Sequence, residues 1–411
     1  MTDSVGLRNP RSIRPFLLVW CLYGVAVLLG VCFFLFPSGM AERMDFRQLY
    51  AGAYLARTDP VNLYDYGRQK EVQDAFVSKV EGLLPFIRPA YEAWLFEPLS
   101  RLPYRAAYFC FLCFNLLLLG ACFFLCRDVF SRPGIIAQPR PGLQLFVFFP
   151  VIVAILQGQD SILFLLGSCL VYRVLMSGRG FLAGATLGLL LFKPQIALPL
   201  ALFLIARYGF SLFAGFAISG AIVSVASIAL VTWKGFTELV QVLLLTGSVS
   251  VSRNIPAGSF GVFPFIMPNI RGLITGLTDW FLPGRIALAL TILLSGCLVL
   301  WGILSLRGAR LGLDAAFSLS TACAVLVSYY LHIHDLTLMQ LPLGLMAGHK
   351  NSHISRSALV FYLAPQLLML FAHKFLYLLA LPVMMFVYGI SQVSPSVAAQ
   401  TAESRSFGFS P

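Results

Sequence analysis

Nine of the seventeen carboxylates in this chain fall between Glu42 and Glu97, directly after an apolar run from Phe16 to Phe36. An enzymatic base is expected first in that stretch. Asp45 heads a segment in which Phe46, Leu49, Tyr50, Ala53 and Tyr54 recur at helical spacing, suggesting a short amphipathic helix at the membrane interface. Aspartate at a helix start is also a preferred N-cap, so capping and chemistry stand side by side as readings of Asp45. Asp59 and Asp65 read as turn residues, and Glu71, Asp74 and Glu81 as a solvated face paired with Arg68, Lys70 and Lys79. Arg88, between the prolines of FIRPAYEAWLFEPLSRLP, can bind an anion or reach the headgroups. Gln157, Gln159 and Asp160 interrupt a long hydrophobic stretch. They form either a hairpin turn with Asp160 as N-cap or a polar site, because ionisable residues near a span are costly. Lys193-Pro194 breaks LGLLLFKPQIALPLALFLIA at its centre, where a lone lysine must snorkel or meet an anion, and the position favours the anion. His332 and His334 in SYYLHIHDL stand two apart. On a helix they would face different sides, so joint metal binding is not expected, while one of them facing a cavity can bind or protonate a phosphate. With no DxD triplet, GxGxxG or Walker loop, direct use of a nucleotide sugar, nucleotide cofactor or ATP has no support.

The elements that must position these residues belong to a membrane. Hydrophobic residues make up 59% of the 411 and charged residues 11%, against about 25% charged in a soluble domain. The mean hydropathy of +0.84 agrees. The fold class is therefore all-α, a polytopic transmembrane bundle. Clear spans are expected at about 15–36, 103–126, 210–232, 285–306, 314–331, 356–372 and 374–391, near the ~20 residues that cross a bilayer. Shorter apolar pieces at 143–156, 160–176, 180–191, 194–206 and 335–348 are separated by polar breaks. Interrupted helices of this kind line cavities, since freed backbone groups need protein or water partners. The total is about 10–12 membrane helices in a single domain over 1–391, with 37–102 and 233–284 as its two long external loops and 392–411 as a polar, disordered cytoplasmic tail. The first span is too long for the ~7–15-residue core of a cleaved signal and reads as a retained anchor. The nine cysteines lie in or beside apolar runs and read as small hydrophobes. The Cys110/Cys113 pair lacks the further ligands a zinc site requires.

Basic residues orient the bundle. With Arg8, Arg11 and Arg14 cytoplasmic, alternation places Arg127/Arg132/Arg140, Arg173/Arg179, Arg207, Arg307/Arg310 and Lys350/Arg356 on that same side. It sends 37–102, Gln157–Asp160, Lys193, 233–284 and His332–Asp335 to the opposite, external face. The net charge of +12 is thus topogenic and lipid-contacting, with no nucleic-acid partner implied.

Taken in order, DFRQLYAGAYLARTDPVNLYD, RPAYEAWLFEPLSRLP, GQDSILFLLGSCLVYRVLMSGRGFLAGATLGLLLFKPQIALPL and SYYLHIHDL resemble glycosyltransferase family 87, integral-membrane GT-C-type mannosyltransferases. The resemblance implies a GT-C-like bundle that moves one sugar, mannose, from a polyprenyl-phosphate donor to a glycolipid or glycan acceptor. It implies the external face of a bacterial inner membrane as the place of reaction, inversion at the sugar, and no cofactor or metal. It makes Asp45 the general base and Arg88, Lys193, His332 and His334 the groups around the donor phosphate, with His334 favoured over His332. Tyr50, Gln157, Gln159, Asp160 and Asp335 are then candidates for contacting substrate. The chain departs from the family pattern at Arg88-Pro89-Ala90, at Asp160 and at His332-Ile333-His334. A polytopic transporter or lipid flippase is the rival reading, favoured by broken helices and weakened by the long acid-rich segment. A catalytically silent membrane scaffold is the third.

Overall fold

The computed structural model describes residues 40–131, 145, 148–247, 264–308, 311–347, 349 and 351–393. The expected anchor at 15–36, the residues Arg132, Arg140, Arg310 and Lys350, and the tail from 394 onward lie outside the described residues. Among the described residues the structure is helical, without strands. It agrees closely with the alternation of apolar runs and polar breaks.

The first long segment folds into helices α1 (Phe46–Thr58), α2 (Tyr66–Phe76) and α3 (Ala90–Leu95). Asp65 caps α2, its side chain accepting from the Arg68 N–H. Arg68 pairs with Asp59 and Glu71, and Lys70 with Asp74, whereas Glu81 pairs with Arg43 and not with Lys79 as expected. Burial of Phe46, Leu49, Tyr50, Ala53 and Leu55 on α1 is deeper than an interfacial helix requires, because the 84–102 stretch folds back over it. The Tyr50 hydroxyl donates to the Leu102 carbonyl (2.9 Å) and Arg57 Nε donates to Ser100 Oγ (3.1 Å).

Pro103 then starts α4 (Tyr104–Leu125). There follow α5 (Phe149–Gln157), α6 (Ser161–Met176), α7 (Gly180–Gly188), α8 (Pro194–Tyr208) and α9 (Phe210–Gly247). Beyond them come α10 (Ile270–Thr278), α11 (Gly284–Gly308), α12 (Leu313–Val327), a 3₁₀ turn (Ile333–Met339) leading into α13 (Gln340–Leu345), α14 (Ser352–Phe371), and a second 3₁₀ turn (His373–Leu379) leading into α15 (Ala380–Ser391). Four of these are long and apolar enough to cross a membrane: Tyr104–Leu125, Phe210–Gln241, Gly284–Gly308 and His373–Ser391. Helices α6, α8 and α12 are shorter and apolar. The 233–284 stretch is less open than a loop. α9 continues to Gly247 past non-helical backbone at Thr232, and α10 follows before α11.

Two glycine contacts set the packing. A Cβ on Gly184 would meet the Leu212 carbonyl oxygen at 2.0 Å, and one on Gly215 would meet that of Phe181 at 1.9 Å, so α7 and α9 touch backbone to backbone. At the end of α5, Gly158 adopts a left-handed φ of +63°. A Cβ there would also lie 2.6 Å from the Phe46 Cβ, so the α5–α6 turn and the start of α1 meet only because residue 158 is glycine. At the opposite end of the bundle, arginines satisfy the last carbonyls of helices. Arg173 donates to Leu125 O and Arg207 to Leu306 O, and Arg207 also donates to Leu311 O in the connection between α11 and α12.

Candidate functional site

Helix breaks that hydropathy alone assigns to one face converge on one cavity of about 400 Å³. Its polar wall carries Asp45 from the head of α1, Arg88 from before α3, Gln157 and Gln159 from the α5–α6 turn, Lys193 from the head of α8, and Tyr330, His332, His334 and Asp335 from the turn after α12. Ile266, Met369 and Leu376 form an apolar wall. The volume lies within the ~300–1,000 Å³ of ordinary small-molecule sites.

Asp45 is held from its own neighbour outward. Phe46 is fully buried and stacks on Phe111 at 5.1 Å, with Tyr104 and Tyr108 around it. That burial, worth about 1.5–3 kcal/mol, fixes the backbone beside the carboxylate. The Asp45 side chain makes no capping hydrogen bond to α1. Instead its Oδ2 accepts from Gln159 Nε2 at 2.7 Å. Gln159 Oε1 in turn accepts from Arg88 Nη2 at 2.7 Å. A guanidinium can only donate, so Arg88 sets the amide orientation that turns the Gln159 NH₂ towards Asp45. Helix α4 holds the turn itself, Tyr108 donating to Leu156 O and Asn115 Nδ2 to Gln159 O (3.1 Å).

Behind this chain lies a buried ion cluster. Arg88 Nη1 donates to Glu92 Oε1 at 2.8 Å and to Asp160 Oδ2. Lys193 Nζ lies 2.9 Å from Asp160 Oδ1, donates to Ser161 Oγ at 2.7 Å and pairs with Asp335 Oδ1. Ser161 Oγ passes its own hydrogen to Asp335 Oδ1 at 3.0 Å. Burial opposes the charge of Arg88, but Asp160 and Glu92 outweigh it and hold the guanidinium firmly protonated. Burial also pushes the Glu92 carboxyl well above the usual range, with Arg88 opposing and Asp160 reinforcing the shift. Two cations, Arg88 and Lys193, are thus packed among three carboxylates, Glu92, Asp160 and Asp335. Arg88 is therefore not snorkelling to headgroups, and the anions that Lys193 meets are the protein's own.

The histidines also depart from the helical picture. His332 sits in extended backbone (φ −114°, ψ 172°) just before the 3₁₀ turn, so both rings reach the same cavity, 5.5 Å apart. Asp335 Oδ2 accepts the His332 N–H at 3.0 Å while the Asp335 N–H bonds back to the His332 ring. His334 Nδ1 is 2.9 Å from Gln157 Oε1, an acceptor, so Nδ1 carries the hydrogen. No group of three or more His, Cys, Asp or Glu side chains is arranged to hold a metal ion among the described residues.

Of the sequence candidates, Asp45, Arg88, Gln157, Gln159, Lys193, His332, His334 and Asp335 line the cavity. Asp160 is buried behind its wall without capping α6, and Tyr50 packs edge-on against Tyr104 at 5.3 Å, away from the cavity. Glu92 and Tyr330 were not among the candidates. The i,i+4 spacing of Glu92 from Arg88 was a readable signal for a helical ion pair, whereas nothing in SYYL distinguishes Tyr330 from its neighbour.

Comparison with known proteins supplies one match. The model of glycosyltransferase family 87 aligns with residues 86–329, more than half of the chain. No curated protein and no solved structure matches it.

Proposed function

The chain belongs to glycosyltransferase family 87, and from that premise of a membrane glycosyltransferase, in place of a transporter, we propose that it moves one hexose, mannose, from a polyprenyl phosphate to a glycolipid or glycan acceptor. The observation that carries this reading is the Arg88–Gln159–Asp45 chain at the edge of the cavity. It presents a carboxylate held by one oxygen, with the other available to take a proton.

In the proposed step the acceptor hydroxyl gives its proton to Asp45 as its oxygen bonds to the anomeric carbon. The bond from that carbon to the phosphate oxygen breaks, and its electron pair leaves with the polyprenyl phosphate, inverting the centre. A positioned base supplies about 10²–10⁴ in rate. The leaving group is already a stable anion and needs countercharge more than a proton. The apolar wall of Ile266, Met369 and Leu376 suits the first isoprene units. The cavity is assigned to the external, periplasmic face of a bacterial inner membrane on the distribution of basic loops.

The test is turnover of polyprenyl-phosphate mannose by the purified protein. Asp45→Asn keeps the size of the side chain and the hydrogen bond from Gln159 but cannot take a proton. It should bind donor as wild type does and turn over at least about 10²-fold more slowly. Near-normal turnover would return the search for a base to Asp335, the other carboxylate on the cavity wall.

A further inference from the structure

Arg88 and Lys193 are each met by protein carboxylates, so a donor phosphate would have to compete with Asp160 and Asp335 for their charge. The turn after α12 offers a different site. The Asp335 N–H is shared between the His332 carbonyl, at 3.0 Å, and the His332 ring, whose Nε2 lies 2.7 Å from the Tyr330 hydroxyl. In the tautomer that lets the ring share that backbone N–H, the accepting nitrogen carries no hydrogen and Nε2 donates to Tyr330. The Tyr330 oxygen is then an acceptor, and its own hydrogen must point elsewhere. It has no acceptor among the described residues, and Tyr330 lines the cavity.

Behind Tyr329, which also lines the cavity, packs a buried cation that is not itself part of the lining. Arg271, at the start of α10, is 7% exposed and stacks on the Tyr329 ring, its guanidinium carbon 4.3 Å from the centroid. One of its five N–H groups donates to Tyr329 O at 3.2 Å. No carboxylate pairs with it among the described residues. Asn269 donates to Ser328 O at 2.7 Å and so binds the head of α10 to this turn.

We propose that Tyr330 and Arg271 form the anion subsite of the cavity, the Tyr330 hydroxyl donating to a phosphate oxygen of the donor and Arg271 supplying countercharge from behind the Tyr329 wall. The proposal rests on the polyprenyl-phosphate reading and refines it. Lys193 becomes a structural cation, and His332 becomes a positioning residue that aims the tyrosine.

Binding of farnesyl phosphate to the full chain in detergent, with farnesol as the phosphate-free control, tests this directly. A hydrogen bond to a charged group is worth about 1.5–3 kcal/mol, so Tyr330→Phe should weaken farnesyl phosphate by about 10-fold or more while leaving farnesol unchanged. Arg271→Gln should do at least the same, and Arg271→Lys should recover part of the loss. Tyr330→Phe keeps the ring and so keeps the test valid even where Arg271→Gln lowers the folded yield. Wild-type affinity for farnesyl phosphate in Tyr330→Phe overturns the subsite while leaving the donor reading intact. Failure of the wild-type chain to prefer farnesyl phosphate over farnesol sinks both.

Discussion

Gln159 Nε2 donates to Asp45 Oδ2 at 2.7 Å across 114 residues of chain, so the Asp45 carboxylate is engaged by the α5–α6 turn and not by its own helix. The capping reading requires Asp45 to turn back on α1, and it does not. The amide that faces it is oriented by Arg88, which is itself anchored by Glu92 and Asp160.

Gln159→Glu should therefore reduce turnover by about 10- to 100-fold, the equivalent of losing one hydrogen bond to a charged group. The new carboxylate satisfies Arg88 but faces Asp45 with a like charge and no donor. Single-turnover rates with bound donor measure this, and a rate within threefold of wild type would show that Asp45 needs no orientation from Gln159.

Lys193 should matter for stability before it matters for chemistry. Lys193→Met leaves Asp160 and Asp335 buried without their shared cation, and breaking a buried pair in this way costs about 3–5 kcal/mol. Thermal unfolding in detergent should show a large loss, partly restored in Lys193→Met combined with Asp335→Leu. An unchanged melting temperature in the single variant would argue against the cluster.

Gly158→Ala should reduce folded yield, because residue 158 combines a φ of +63° with a Cβ position 2.6 Å from the Phe46 Cβ. Gly120→Ala is the control. It lies within α4 with open space around it, where alanine favours the helix by about 1 kcal/mol. Size-exclusion profiles of the two variants should differ in opposite directions from wild type.

Sidedness is tested by single cysteines in an otherwise cysteine-free chain. Asp65, in the first long segment, and Arg179, between α6 and α7, are both exposed. An impermeant maleimide applied to intact cells should label position 65 and spare 179. The reverse pattern would place the cavity on the cytoplasmic face.

Hydropathy and turn chemistry are local properties, and they determined much of this protein. The apolar runs at 103–126, 160–176, 194–206, 210–232 and 285–306 all became helices within a few residues of their expected bounds, apart from the continuation past Thr232. The polar residues at their breaks, from Gln157 to Lys193 to Asp335, could be named as candidates because charge is rare in such a chain. What the sequence could not determine is which charges meet. Lys193 has an aspartate partner 142 residues away and Arg88 one 72 residues away, and choosing among several carboxylates depends on distance in space. The histidines illustrate the same limit. A two-residue spacing separates side chains on a helix, but extended backbone at His332 turns both rings into one cavity, with the Tyr330 hydroxyl 2.7 Å from His332 Nε2. Only the tertiary structure decided these pairings, because ion pairs and hydrogen bonds are set by ångström-scale separations that local patterning does not encode.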